Sequence, residues 1–382
     1  MPAFLDINDC NLRLWHGDRK VESPGYALLD GRDYRFGKAA RSAARLQPRN
    51  INTRYWWQLS VEPLQPPLGP ARHTADLVHA HLKELHRDAG EPAELLVATS
   101  ASTGREQLSL LLGIVQQCPF EVVGLINRST LLASLSGDAE RMFHLEMQLH
   151  QAVLCELAVD GGEVVAKRNV PLPGCGLLQL QERMVEVMSA GFVRQTRFDP
   201  RRKAATEQAL YDALPGALAE LAAAAETNLE IEGYRARVSR DDLADAGSRL
   251  VESASRAMGQ PDNGDRVLGE GLLALLPGIH ERLPGLLVCP GDASWQAARA
   301  HGERLLAGGA GLHFRSTLPL LDRVAAVPIS PTTIEPAPTG SAPTHLLRGA
   351  CATPLDRAGQ ALGPARLVPR GEHWALEGDG VS

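Results

Sequence analysis

The run Met142–Leu157 (MFHLEMQLHQAVLCEL) sets His144, Glu146, Gln148 and His150 at alternate positions. Read as a strand, it puts all four side chains on one face and Leu145, Met147 and Leu149 on the other. Imidazole and carboxylate sharing a face are the donor types of a metal centre or a proton-transfer site. A metal-dependent hydrolase built on His144, Glu146 and His150 is therefore one reading. A polar face filling a cleft is the other. His73, His79, His81 and His86 lie close in sequence but form no HExxH pattern. The cysteines at 10, 118, 155, 175, 289 and 351 form no CxxC pair and sit mostly in apolar runs, the pattern of reduced, buried thiols. Trp56 and Trp57 are adjacent, as a core anchor or the wall of a cleft would have them.

The elements that must position these residues follow from hydrophobic period. The chain has 382 residues, of which 44% are hydrophobic and 4% aromatic, so it can bury a core made mostly of Leu, Ala and Val. Glu94–Gly137 reads strand, helix, strand, helix. Leu95–Thr99 and Phe120–Ile126 are the strands, and Ser102–Cys118 carries Leu108, Leu111, Leu112 and Val115 at helical spacing. That order argues a layered α/β domain with crossovers. Ala3–Ile7 and Leu12–Trp15 flank the polar turn Asn8-Asp9-Cys10-Asn11 as a hairpin. Thr74–Asp88, Leu177–Val193 and Asp242–Met258 are amphipathic helices, the last capped from Ser239 and stopped at Gly259. A further helix starts after Asp199-Pro200, an N-cap and first-turn pair. Asn228–Val238 is a hairpin with a Glu-Gly turn, and Val159–Val165 turns on Asp-Gly-Gly. Pro328–Pro343 is a Pro/Ser/Thr linker, and Thr344–Ser382 reads as short strands.

The net charge is −6 with both signs interspersed, and Arg201, Arg202 and Lys203 make only a short basic spot. No basic face for nucleic acid is expected. The opening MPAFLDIND has no leader character, and no window approaches ~20 uninterrupted apolar residues. A cytoplasmic protein without a membrane span is expected.

The segment VATSASTGREQ followed by LINRSTLLASL resembles the first lobe of the DnaK-type heat-shock chaperones, with their "VPA" strand end and "INEPTAAAL" phrase. The likeness runs from about Ala3 to Ala310 in the order of elements. It implies the two-lobed ribonuclease-H-like fold of the actin, sugar-kinase and chaperone ATPase superfamily: mixed sheets with flanking helices, plus a short β-rich C-terminal appendage. The lobes would span 1–140 and 141–327, with a linker at 328–343 and a small tail at 344–382. The family follows its ATPase with a long peptide-binding domain and a lid, which a tail this short cannot supply.

The resemblance also implies a nucleotide cleft, here vestigial, marked by Asp6, Asn8, Cys10, Asn127, Gly291 and Asp292. Asp6 matches the aspartate that organises magnesium. Asn8 replaces a glycine of the first phosphate turn, and Asp9 and Cys10 replace its two threonines. Asn127 matches the Asn of "INEPT", while Arg128 stands at its glutamate. In the second phosphate hairpin His144 falls at the aspartate, and Glu146, Met147 and Gln148 fall at glycines whose amides cradle phosphate. Tyr55, Trp56, Trp57 and Gln58 stand where the catalytic lysine would be, with Arg54 the nearest cation. Gly291 keeps one glycine of the adenosine turn; Pro290 replaces the other, and Asp292, Ala293 and Ser294 replace "S-T-R". The implied function is that of a pseudo-ATPase with no cofactor, serving an unknown protein partner as an interaction or scaffold module. The alternative is a chaperone-like ATPase that binds ATP with magnesium through rearranged contacts.

Overall fold

β1 (Ala3–Ile7) is a short apolar strand, buried along almost its whole length, and it starts a sheet with a characteristic mixed order. In a computed structural model of the chain, residues 1–137, 139, 141–260, 264–306 and 312–321 are described, together with the backbone of five short strands between 345 and 378. β1 pairs antiparallel with β2 (Leu12–His16), and β2 with β3 (Arg19–Ser23). On its other side β1 pairs parallel with β4 (Glu94–Thr99), and β4 with β5 (Glu121–Asn127). A second sheet repeats the pattern. β6 (Met142–Met147) pairs antiparallel with β7 (Gln151–Asp160), and β7 with β8 (Glu163–Pro173). β6 then pairs parallel with β9 (Arg266–Glu270), and β9 with β10 (Leu286–Cys289). β11 (Phe314–Arg315) extends the first sheet beside β5, and β12 (Thr317–Pro319) extends the second beside β8. The chain is thus a mixed α/β protein in which two sheets share a five-strand core of one order and one pattern of directions, each extended at a different edge.

The seven longest helices among the described residues cover these sheets: α1 (Thr74–Asp88), α2 (Arg105–Val115), α3 (Arg128–Ala133), α4 (Leu177–Thr196), α5 (Ala204–Ala223), α6 (Ser248–Met258) and α7 (Ala293–His301). The apolar stripes of α1 (Leu77, Val78, Leu82, Leu85) and α2 (Leu111, Ile114, Val115) close over Leu5, Leu95 and Val97 of the first sheet. The second sheet buries Phe143, Leu145 and Leu154 against Met184, Met188 and Phe192 of α4 and Leu214 of α5. Each such side chain contributes about 1.5–3 kcal/mol on burial. On the far side of the first sheet, Phe4, Trp15 and Trp295 stack with ring centroids 5.6–6.2 Å apart and tie α7 to β1 and β2.

Several elements differ from their expected bounds. The strand carrying His144 and Glu146 ends at Met147, because the Gln148 N–H donates to Gln151 O and closes a turn into β7. The helix after Ser239 is interrupted: Arg240–Leu243 is one turn, Ala244–Gly247 a tighter turn, and α6 begins only at Ser248. Asp199 caps only the short turn Pro200–Arg202, and α5 starts at Ala204. Asp292 makes no capping bond to the amides of α7; instead its Oδ2 accepts from Gln296 Nε2 at 2.9 Å.

Contacts divide the chain into Met1–Ile329 and Ser330–Ser382. Within the second unit His345–Arg348 pairs with Cys351–Pro354, and Gln360–Leu362, Ala365–Arg370 and His373–Gly378 form an antiparallel meander. The expected linker lies outside the described residues. Among the described residues no helix is long and apolar enough to cross a membrane.

Candidate functional site

Open α/β sheets place ligands beyond the carboxyl ends of their strands. Here those ends carry Asp6 from β1, Asn127 from β5, Glu146 from β6 and Glu270 from β9. What lies among them is a protein cation, Arg128. Asn127 caps α3, its Oδ1 accepting from the Ser129 N–H at 2.9 Å and the Thr130 N–H at 3.2 Å. The cap fixes Arg128 as the first helical residue, pointing inward, with 1% of its surface exposed. A cation there opposes the positive end of the helix, so neighbouring carboxylates must hold it.

They do. Arg128 Nε donates to Asp6 Oδ1 at 2.6 Å, and Nη2 donates to Glu270 Oε1 at 2.5 Å and to Asp6 Oδ2 at 3.4 Å. Nη1 lies 3.6 Å from Glu146 Oε2, an ion pair too long for a hydrogen bond. Ser294 Oγ, at the start of α7, donates to Asp6 Oδ2 at 2.7 Å. Glu270 also accepts from Arg13 Nη1 and from Asn8 Nδ2, each at 3.3 Å. Two arginines therefore face three carboxylates within one buried network.

The charges set one another's protonation. Burial pushes the Glu270 carboxyl up, but Arg128 and Arg13 outweigh it and bring its pKa down to about 2. Glu146, reached less closely by Arg128, is held above the usual carboxylate range by burial. Burial opposes the charge on Arg128, yet Asp6, Glu270 and Glu146 together raise its pKa well above the ordinary value. His144 is buried beside the guanidinium, and its pKa falls to about 3, so the ring is neutral. Its Nδ1 is 2.8 Å from Ser129 Oγ. Its Nε2, like Glu146 Oε2 and Arg128 Nη1, has no hydrogen-bond partner.

The two β-hairpins beside this network are bonded directly to each other. Asn8 Nδ2 donates to Met147 O at 3.0 Å, and the Leu149 N–H donates to Asp9 Oδ1 at 2.8 Å. Asn8 Oδ1 also accepts from the Cys10 N–H at 2.9 Å, which shapes the turn. Gly176 lets the chain pass tightly behind the second hairpin, where a Cβ would collide with the backbone of His150 and Gln151. Burial is the main influence on Asp9, with Glu146 adding to it, and its pKa rises to about 7.

The structure therefore joins Asp6, Asn8 and Asn127 at one place, with Cys10 beside them in the core. Gly291 and Asp292 instead line an open groove with Trp15, Lys20, Trp295 and Arg299. Glu146 belongs to the network, but the proposed set of His144, Glu146 and His150 is not assembled. Past Met147 the alternation is lost, and His150 turns to Thr53, with its Nε2 3.0 Å from Oγ1, and stacks on Trp57. Among the described residues no group of three His, Cys, Asp or Glu side chains is placed to hold a metal ion.

Sequence reasoning missed Glu270 and Arg13. A signal was present: AFLDI and MFHLEM carry a carboxylate inside an apolar strand and RVLGE carries one at its end, an arrangement that calls for a nearby cation. It also missed the role of His81. Trp56 Nε1 can only donate, so His81 Nδ1 accepts from it at 3.1 Å, with Tyr55 Oη 2.7 Å from the same nitrogen. The proton then sits on Nε2 and points to Ser23 Oγ at 2.7 Å. Set against known proteins, no family model matches the chain and no curated protein matches it, so the functional reading rests on this geometry.

Proposed function

We propose that the two sheets are the lobes of an actin-like, ribonuclease-H-type fold, and that the protein is a pseudo-ATPase of that architecture, acting through protein contacts as an interaction or scaffold module. The repeated strand order, three antiparallel strands followed by two parallel ones in each sheet, supports the fold. The observation that carries the function is the Arg128 guanidinium bonded to Asp6 at 2.6 Å. A magnesium ion organised by Asp6 would have to displace a buried cation that also neutralises Glu270. Phosphates between the two hairpins would have to break the Asn8–Met147 and Asp9–Leu149 bonds and would meet Asp9 and Glu146. Mg–ATP therefore does not suit these residues. In this reading Arg128 is a built-in counter-ion, and it holds the two sheets together without nucleotide.

The test is thermal unfolding with and without millimolar Mg–ATP and Mg–ADP, paired with calorimetric titration. A ligand at 100 times its Kd adds about 2.7 kcal/mol to the native state. The expected result is no shift and no heat. A clear shift with either nucleotide overturns the reading in favour of a nucleotide-binding ATPase with rearranged contacts.

A further inference from the structure

Beside the two hairpins lies a cavity of about 180 Å³. Trp56 and Trp57 form one wall, and Asp9, Thr99, Ser100 and Gln148 contribute polar groups. Both indoles are held in place: Trp56 has given its N–H to His81, and Trp57 stacks on His150 with centroids 5.2 Å apart. Ser100 and Gln148 are bonded to each other at 2.9 Å. Thr99, registered against Ile7 at the end of β1, is different. It is 1% exposed, and its Oγ1 has no partner. A buried hydroxyl without a partner costs about 1–3 kcal/mol, which a ligand donor would recover.

Charge selects the ligand. Asp9 is the one ionisable side chain in the wall, and no Lys, Arg or His lines it. The start of α2 also borders the cavity, but the Gly104 N–H is taken by Gln107 Oε1 and Glu106 offsets its positive end. A phosphate or carboxylate would find no cation here. A protonated amine would find a carboxylate, an unpaired hydroxyl and an aromatic wall, the environment that stabilises ammonium groups.

We propose that this cavity is a binding site for a small primary amine, with Asp9 as its counter-ion, Thr99 Oγ1 as a second acceptor and Trp56 and Trp57 as its aromatic wall. The site does not depend on the nucleotide question. The other titratable groups near Asp9 are Glu146 on the neighbouring hairpin, which adds negative charge, and Cys10, Tyr26 and Tyr55, all raised by burial and neutral. Because Asp9 titrates near 7, amine binding fixes its ionised form and releases a proton.

The probe is n-butylammonium, titrated against indole fluorescence and by calorimetry in two buffers of different ionisation heat, with n-butanol and butyrate as neutral and anionic controls. The amine is expected to bind about tenfold or more tightly than butanol, and butyrate not at all. Affinity should rise from about pH 6 to pH 8, with proton release. Asp9→Asn keeps the acceptor for the Leu149 N–H and should weaken amine binding about tenfold or more. Thr99→Val removes only the unpaired hydroxyl, so it should leave the fold at least as stable while weakening the amine. Equal binding of butanol, binding of butyrate, affinity that falls with pH, or unchanged amine affinity in folded Thr99→Val would each overturn the proposal.

Discussion

Replacing Arg128 with Met tests the central cluster, because it keeps much of the side-chain volume and removes the charge. Asp6 would keep only Ser294, and Glu146 would lose its cation altogether; Glu270 would retain Arg13 and Asn8. Removing one partner from a buried ion pair costs about 3–5 kcal/mol, mostly from the charge left behind. With Glu270 still paired, we expect about 4 kcal/mol, a large share of the 5–15 kcal/mol typical of a folded domain. The assay is urea unfolding followed by far-UV circular dichroism, read as a lower midpoint at an unchanged slope. Orphaned carboxylates protonate more readily, so the deficit should shrink as pH falls from 8 toward 5. Asp6→Asn in the Arg128→Met background should recover part of the loss, with a coupling of about 2 kcal/mol. A deficit under about 1 kcal/mol that does not change with pH would refute the counter-ion reasoning.

Other consequences are as direct. Asp9 binds its proton more tightly in the folded protein than in the unfolded chain, so its contribution falls as pH rises from about 4 to 7. Asp9→Asn should therefore gain stability relative to the parent by about 1.4 kcal/mol per pH unit across that window, measured by denaturation at several pH values. His81 and His144 have the opposite sign: their folded pKa values, about 3, lie below the unfolded value of 6.5, so each erodes stability as pH falls from 6.5 toward 3. A variant with His144→Asn should show a shallower acid limb, and nuclear magnetic resonance titration should find both rings neutral at pH 5. Gly176→Ala brings a Cβ against backbone of the second hairpin. It should cost about 3 kcal/mol or more, read as a lowered unfolding temperature.

The parts of the fold that were legible in sequence are those governed by local period and capping. Thr74–Asp88 forms a helix with those bounds because Leu77, Val78, Leu82 and Leu85 repeat at helical spacing, and β1 and β2 flank a polar turn where expected. Where a long-range bond decides, local pattern gave the wrong answer. Alternation from His144 to His150 predicted one polar face, but the turn at Gln148 and the bond from Leu149 to Asp9, 140 residues earlier in the chain, end the strand and separate the two histidines.

Arg128 shows the same limit at the site itself. In sequence nothing near Arg128 says what it pairs with. In three dimensions it is a bond to Asp6, a residue 122 positions away, and to Glu270, 142 positions away. The same arginine gives the buried Asp6 carboxyl a partner inside the protein. Under the proposed pseudo-ATPase reading, a fixed intramolecular cation takes the place of a ligand that arrives and leaves. In that reading stability should be insensitive to nucleotide concentration and sensitive to the protonation of Glu146 and Glu270.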